Sequence, residues 1–296
     1  MSGPRSTSLP ELITPEIMDG SHLAGDDFEG ARLKRWFLEE QEAFFKGDSG
    51  NSDKDPWYAY MRYVNRKLGF SHVKKRKGRA SSMLILGPGS GSEVEDFAKE
   101  NPNCRLHFLE ASENFQQILR DRFPDSTIVV PHYSGEIDLA DSTQDLVCSF
   151  SVLHHIPNVS KVMKEIGRIT RRGGFLMVRE PCSSMGDWRG PRSATPNERG
   201  ISRSLITTFA ERAGFLLERS PVPIIFEPLN KFLKKFAKFN RLPFPVLYVI
   251  DRIISRILSY NDHYWRNSFY KKLGPSSYFY LFIKIDSPPG SNLRQL

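Results

Sequence analysis

Three clusters in this 296-residue sequence have residue types and spacings suited to chemistry. The first is Gly87-Pro88-Gly89-Ser90-Gly91, which directly follows the apolar run Met83-Leu84-Ile85-Leu86. Glycines at a strand-to-helix turn let the backbone bend sharply and approach a ligand closely. Glu110 ends the next apolar run roughly twenty residues on, where a carboxylate accepts hydrogen bonds from the ribose hydroxyls of an adenosine. Loop and carboxylate together read as a nucleoside cofactor site rather than an ordinary Gly/Pro turn. The spacing is Gly-x-Gly-x-Gly, and Ser92 and Glu93 follow where the dinucleotide pattern has its final glycine. An acidic Glu93 at the start of a helix would sit poorly beside a pyrophosphate, which needs the positive helix end for itself.

The second cluster is His154-His155 after a fourth apolar run, and the third is Arg179-Glu180-Pro181 after a fifth. Both fall at the carboxyl edge of the sheet expected below, where open α/β folds place their ligands. His155 is a candidate base or contact to the reacting molecule, although a histidine in such a turn can equally pack and cap; His154 reads as packing. Glu180 either orients a reacting hydroxyl or amine or forms an ion pair with Arg179. Residues 182–203, with Trp188, Arg189, Arg192 and Arg199, read as a polar loop over the site. Its arginines bind an acidic partner or are solvated.

These residues need a frame, and the apolar pattern supplies one. Short continuous apolar runs separated by helical segments are what a parallel sheet buried on both faces produces. Strands are expected over 83–86, 105–109, 126–130, 145–150 and 174–178, around 216–218, and over 277–284. Helices are expected from Glu93 to Lys99, Glu113 to Phe123, Val159 to Thr170 and Ile201 to Ala213. The fold class is α/β, a doubly wound Rossmann-like sheet. Residues 1–79 are read as an N-terminal arm and helical cap, with 1–27 a loose arm or irregular wrap and Lys74 to Arg79 a basic, solvated junction. The core is 80–222, a helical insertion spans 223–274, and 275–296 hold the final strand and tail.

Hydrophobic residues make up 39% and charged residues 26%, an ordinary globular balance that excludes a disordered or fibrous chain. The three cysteines, Cys104, Cys148 and Cys182, are widely spaced and form no CxxC pair, so neither a disulfide framework nor a metal site is indicated. With no signal-peptide pattern and no long uncharged apolar run, a cytoplasmic protein without a transmembrane segment is expected. The net charge of +8 suits an anionic partner or simple solubility.

Residues of about 80–182 resemble the class I S-adenosylmethionine-dependent methyltransferases of the broad type 11 family. The matching segments are 84–91 (LILGPGSG), 108–112 (FLEAS), 145–157 (DLVCSFSVLHHIP) and 172–178 (RGGFLMV). The resemblance implies a seven-stranded sheet ending in an antiparallel strand, S-adenosylmethionine as cofactor, and methyl transfer to an acceptor. It implies that Gly87, Gly89 and Gly91, with Pro88 between them, line the methionine moiety, whose ammonium tolerates Glu93. It further implies that Glu110 and the adjoining Ala111 lie along the ribose and that Phe150 and Ser151 flank the cofactor. Where family members carry an Asp that contacts adenine, this sequence has Tyr133; Asp138, Asp141 or the backbone near Ser134 are the substitutes. In methyl transfer His155 and Glu180 become the candidate catalytic residues, since oxygen and nitrogen acceptors must lose a proton.

A minimal methyltransferase joins its last two strands by a short hairpin, so 223–274 are expected to serve the acceptor. Leu229, Phe232, Leu233 and Phe236 recur at helical spacing among Lys231, Lys234, Lys235 and Lys238, a basic amphipathic helix. It reads as packing against the sheet, a lid, or a peripheral membrane contact through 229–240. A mostly apolar helix over 244–258 and an aromatic, basic stretch from Tyr260 to Lys272 follow. The expected acceptor is a small-molecule or lipid-like, amphiphilic compound methylated on oxygen or nitrogen. RNA methylation and a non-catalytic interaction platform are the alternatives; no recognisable RNA module supports nucleic acid.

Overall fold

The computed structural model describes residues 8–46, 56–190, 195, 197–225 and 243–285. Its strands are β1 (Ser82–Leu86), β2 (Arg105–Leu109), β3 (Thr127–Val129), β4 (Gln144–Phe150), β5 (Thr170–Pro181), β6 (Phe215–Leu217), β7 (Val222–Ile224) and β8 (Ser277–Lys284). They form one sheet in the order β3-β2-β1-β4-β5-β8-β6, with β7 also paired to β8. Strands β1 to β5 pair in parallel, and β8 runs antiparallel to β5, β6 and β7. The seven-strand path expected from the sequence is therefore present. The eighth strand arises because one chain segment meets β8 twice, Phe215–Leu217 opposite Phe282–Lys284 and Val222–Ile224 opposite Ser277–Phe279. Pro221, which lacks the N–H needed to continue a ladder, stands between the two pieces of this edge.

Alternation along each strand divides the core. Leu84, Leu86, Val147, Leu176 and Val178 face α7 (Val159–Ile169) and α8 (Arg203–Arg212). Met83, Ile85, Leu146, Cys148 and Met177 face the other layer, built from α3 (Pro56–Asn65), α4 (Ser71–Lys77), α5 (Glu95–Glu100) and α6 (Glu113–Arg122). Burial on both faces explains why the runs read as continuously apolar. The basic junction expected at Lys74 is instead the last turn of α4, where Lys74 to Lys77 sit at the negative end of the helix. A π-helical turn, Arg66–Phe70, connects it to α3.

From residue 8 onward the N-terminal segment is a packed wrap rather than a loose arm. A 3₁₀ turn (Leu9–Leu12) and α1 (Pro15–Asp19) bury Leu9 and Ile17, and with α2 (Gly30–Lys46) they pack Phe28, Leu33 and Trp36 against Trp188 and Trp265. Asp26 Oδ1 accepts a hydrogen bond of 2.8 Å from the Ser160 amide, one of the orphan donors at the start of α7. Helices α9 (Phe244–Leu258) and α10 (Phe269–Lys272) follow β7. The helix expected over 229–238 and Arg192 lie outside the described residues. Among those described, no helix is long and apolar enough to cross a membrane.

Candidate functional site

Strands β1 and β4 are neighbours, and the chain leaves them toward opposite sides of the sheet. The crevice at their carboxyl ends is where such sheets bind ligands, and here it opens into a cavity of about 830 Å³. The glycine loop forms one wall. Gly87, Gly89 and Gly91 all have left-handed φ values of 49°, 55° and 77°. A Cβ on Gly91 would stand 2.6 Å from the Phe123 ring, so that glycine is required by packing under the loop. At Gly89 the space is open, with Phe115 3.9 Å away, so an added side chain there would project into room left for a ligand.

Glu110 is buried at the end of β2. Its Oε2 accepts from the Gly89 amide at 3.2 Å and its Oε1 from the Ser112 amide at 2.9 Å, which ties loop and carboxylate together. Burial raises its pKa, against the pull of those amides and that of Ala111. Ala111, Pro88, Phe150, Ser151 and His155 line the same cavity, and Gly91 borders a small recess beside it. Ser151 is held at a φ of 60°, a costly conformation for a non-glycine residue. Its amide donates to the Arg179 carbonyl at 2.7 Å. Tyr133 also lines the cavity, whereas Asp138 and Asp141 do not; Asp141 pairs with Arg168 at 2.6 Å. Glu136 is the carboxylate this loop brings to the wall.

Two side chains at the end of β5 diverge because strand residues alternate. Arg179 does not pair with Glu180. It makes a bidentate pair with Glu93, at 2.8 and 2.9 Å, and donates to Asn65 Oδ1 at 2.9 Å. Glu180 points to the other face, 1% exposed, and does not reach the cavity. Its Oε1 accepts from the Val152 and Leu153 amides, both at 2.9 Å, and its Oε2 lies 2.7 Å from His154 Nδ1. The catalytic role expected of Glu180 is thus corrected: the carboxylate is enclosed away from the cavity, and both its oxygens hold the turn after β4.

His154 lies between Glu180 and Glu198, with 3.3 Å from Nε2 to the latter. Burial alone would strip its proton. The two hydrogen bonds and the two carboxylate charges prevail, and its pKa is pushed up to about 9. Potential ligand atoms of His154, His155 and Glu198 lie within 4.8 Å of one another, but with both His154 nitrogens engaged by carboxylates the group is a cation between anions. His155 turns toward the cavity, its Nδ1 2.9 Å from Glu40 Oε2. Burial and the neighbouring His154 charge lower its pKa, overriding Glu40, and so favour the neutral, basic imidazole.

Glu40 had no local sequence signal, and Arg199 had one for a different role. Glu40 comes from α2, more than a hundred residues from His155, and both its oxygens accept from Thr195 Oγ1 at 3.0 Å. Arg199, expected as a ligand or a solvated charge, is fully buried and donates to the carbonyls of Ala24, His154, Ile156 and Pro157 at 2.8–3.0 Å. Burial lowers its pKa to about 10. It ties the N-terminal wrap to the turn that carries both histidines. Arg189 is the solvated one, paired with Asp187.

Residues 84–178 match the sequence model of a family described as a methyltransferase domain. The chain carries a class I S-adenosylmethionine-dependent methyltransferase domain. Over 134 residues, 43% of this chain and 53% of the relative, it is 28% identical to the thiol S-methyltransferase TMT1B of Rattus norvegicus. It is 26% identical over 141 residues to the sarcosine/dimethylglycine N-methyltransferase of Halorhodospira halochloris, covering 45% of this chain and 49% of that one. The chain thus spans about half the length of the curated relatives it matches. Among solved structures it is similar in fold to the 1,6-didemethyltoxoflavin-N1-methyltransferase of Burkholderia thailandensis, with a TM-score of 0.52 and 17% identity over 88% of this chain and 93% of that one. In the domain, the open face of Gly89 and the buried Glu110 carboxylate fit S-adenosylmethionine: they leave room beside the loop and place an acceptor for ribose hydroxyls.

Proposed function

We propose that this protein transfers the methyl group of S-adenosylmethionine to nitrogen or oxygen of a small, amphiphilic acceptor. The observation that carries this reading is the continuity of one cavity from the glycine loop and Glu110 to the His155–Glu40 pair. The cofactor supplies an electrophilic methyl on a sulfonium. What remains for the chain is to align a lone pair with it and take up the acceptor's proton. Gly87, Pro88 and Gly89 would lie along the methionine part, Glu110 and Ala111 along the ribose, and Phe150 and Ser151 beside the reacting centre. His155, held by Glu40, is the group that takes the proton.

Charge supports nitrogen. Among the described residues, six glutamates and one arginine line the cavity of a chain whose net charge is +8. Such a wall favours a basic amine over an anionic acceptor. The 28% identity to a thiol S-methyltransferase favours sulfur as a second reading, and a neutral imidazole also suits a thiol.

Calorimetry of S-adenosylmethionine binding tests the cofactor site, comparing the unaltered chain with Glu110→Ala and Gly89→Arg. Binding that both substitutions abolish supports the reading; no binding by the folded, unaltered chain overturns it. Methyl transfer from labelled cofactor to panels of amines, alcohols and thiols then separates the acceptor atoms, and transfer to thiols alone selects the second reading.

A further inference from the structure

Helix α9 is amphipathic in the reverse sense. Toward the protein it turns Leu247, Asp251 and Ser255, all buried. Asp251 accepts from Tyr60 Oη at 3.0 Å, from the Ile225 amide at 3.0 Å and from Ser255 Oγ at 2.8 Å. Toward solvent it turns Val246, Val249, Ile253 and Ile257, 43–62% exposed, and Tyr260 continues the stripe at 90%. The polar face is satisfied inside the fold, so the aliphatic face does no folding work. Phe269, Tyr270 and Leu273, around α10, are exposed as well. Most of the large exposed apolar side chains among the described residues thus fall in one short stretch, 246–273.

The charge of the same stretch says what covers it. Residues 246–273 hold five Lys/Arg against two Asp/Glu, a net +3. Of those acids, Asp251 is buried in the bonds above and Asp262 binds Tyr278 Oη at 2.8 Å. Arg256 and Lys272 stand exposed beside the apolar residues. Cations around an aliphatic and aromatic face are the composition of a helix that lies in the interface of an anionic bilayer. Nucleic acid would use the cations and the rings, but Val249, Ile253 and Ile257 gain nothing from phosphate or base.

We propose that the outward face of α9, continued by Tyr260, Phe269 and Tyr270, docks the protein on an anionic lipid surface. Docking there places the bilayer beside α3, against which α9 packs through Tyr60 and Tyr63, and which carries Tyr58 on the cavity wall.

The test is co-sedimentation of the full chain with vesicles of phosphatidylcholine alone and of phosphatidylcholine with phosphatidylserine. The unaltered chain is expected to sediment with the anionic vesicles, less so at high salt. Ile253→Glu with Ile257→Glu is expected to lower partitioning about tenfold or more, with an unchanged thermal unfolding curve because both residues face outward. Arg256→Glu with Lys272→Glu should weaken binding to anionic vesicles selectively. An environment-sensitive probe on Ile257→Cys, selective because the three native cysteines are buried, should report water without vesicles and an apolar surrounding with them. Five results overturn the proposal. They are no sedimentation of the folded chain with anionic vesicles, isoleucine variants that sediment like the unaltered chain, and a probe already shielded in the monomer, which would mean that the face is covered without lipid. The fourth is a dimer that Ile253→Glu dissolves, and the fifth is polyuridylate binding that the Arg256/Lys272 variant loses and the isoleucine variant keeps.

Discussion

Glu110 illustrates how little separates a structural from a functional carboxylate. It is buried at a cost that its raised pKa registers, and the amides of Gly89 and Ser112 hold it aimed along the glycine loop. Glu110→Gln keeps the volume and removes the charge, so cofactor affinity should fall about ten- to a hundredfold, the worth of hydrogen bonds to a charged group, as read by calorimetry. His155 offers a second test. Its conjugate acid is favoured by Glu40, although burial and His154 hold the pKa below the ordinary imidazole value. The acid limb of kcat/KM should therefore lie below that value, and Glu40→Gln, which removes the stabilising anion, should move it to still lower pH. A variant that merely loosened the fold would lower the rate without displacing the limb.

Among the elements, the turn after β4 depends on neighbours that are remote in sequence. Glu180 from β5 holds its amides, Arg199 holds its carbonyls, and Trp36 from α2 donates to the His155 carbonyl at 2.9 Å. Arg199→Leu would take the guanidinium away from four carbonyls, of which those of His154 and Pro157 keep a backbone donor and those of Ala24 and Ile156 do not; it should cost about 3 kcal/mol or more in denaturant unfolding. Limited proteolysis should then cut the N-terminal wrap first, because Arg199 also grips Ala24. At the other wall, Gly91→Ala brings a Cβ against Phe123 at a left-handed φ. It should destabilise by about 1–3 kcal/mol and weaken the cofactor site by displacing the loop.

For the molecule as a whole, the buried Glu180 and His154 and the half-buried Glu198 join β5, the β4 turn and the segment before α8 into one pH-dependent unit. His154 has a folded pKa of about 9, above its unfolded value near 6.5. Its stabilisation is complete below about pH 6.5 and is lost as pH rises through about 9. Glu198 is depressed to about 2, so its contribution is present above its ordinary range and is lost as pH falls toward 2. Unfolding free energy measured from pH 6 to pH 9.5 should therefore decline, and His154→Gln should flatten that decline while lowering stability at pH 6.

What the sequence determined by itself is local. Strands β1, β2, β4 and β8 and helices α6, α7 and α9 were legible because their apolar periods, caps and breakers act within a few residues. The glycine loop and Glu110 were legible because a parallel sheet places the ends of consecutive strands side by side. The tertiary structure decided the partnerships. Adjacent strand residues point to opposite faces, so Arg179 and Glu180 part, one to Glu93 and the other to His154. Glu40 reaches His155 only because the first helices fold back over the sheet edge. The reversed face of α9 became visible only once Asp251 had found Tyr60, since a helix's own sequence shows that it has two faces and not which of them meets the protein.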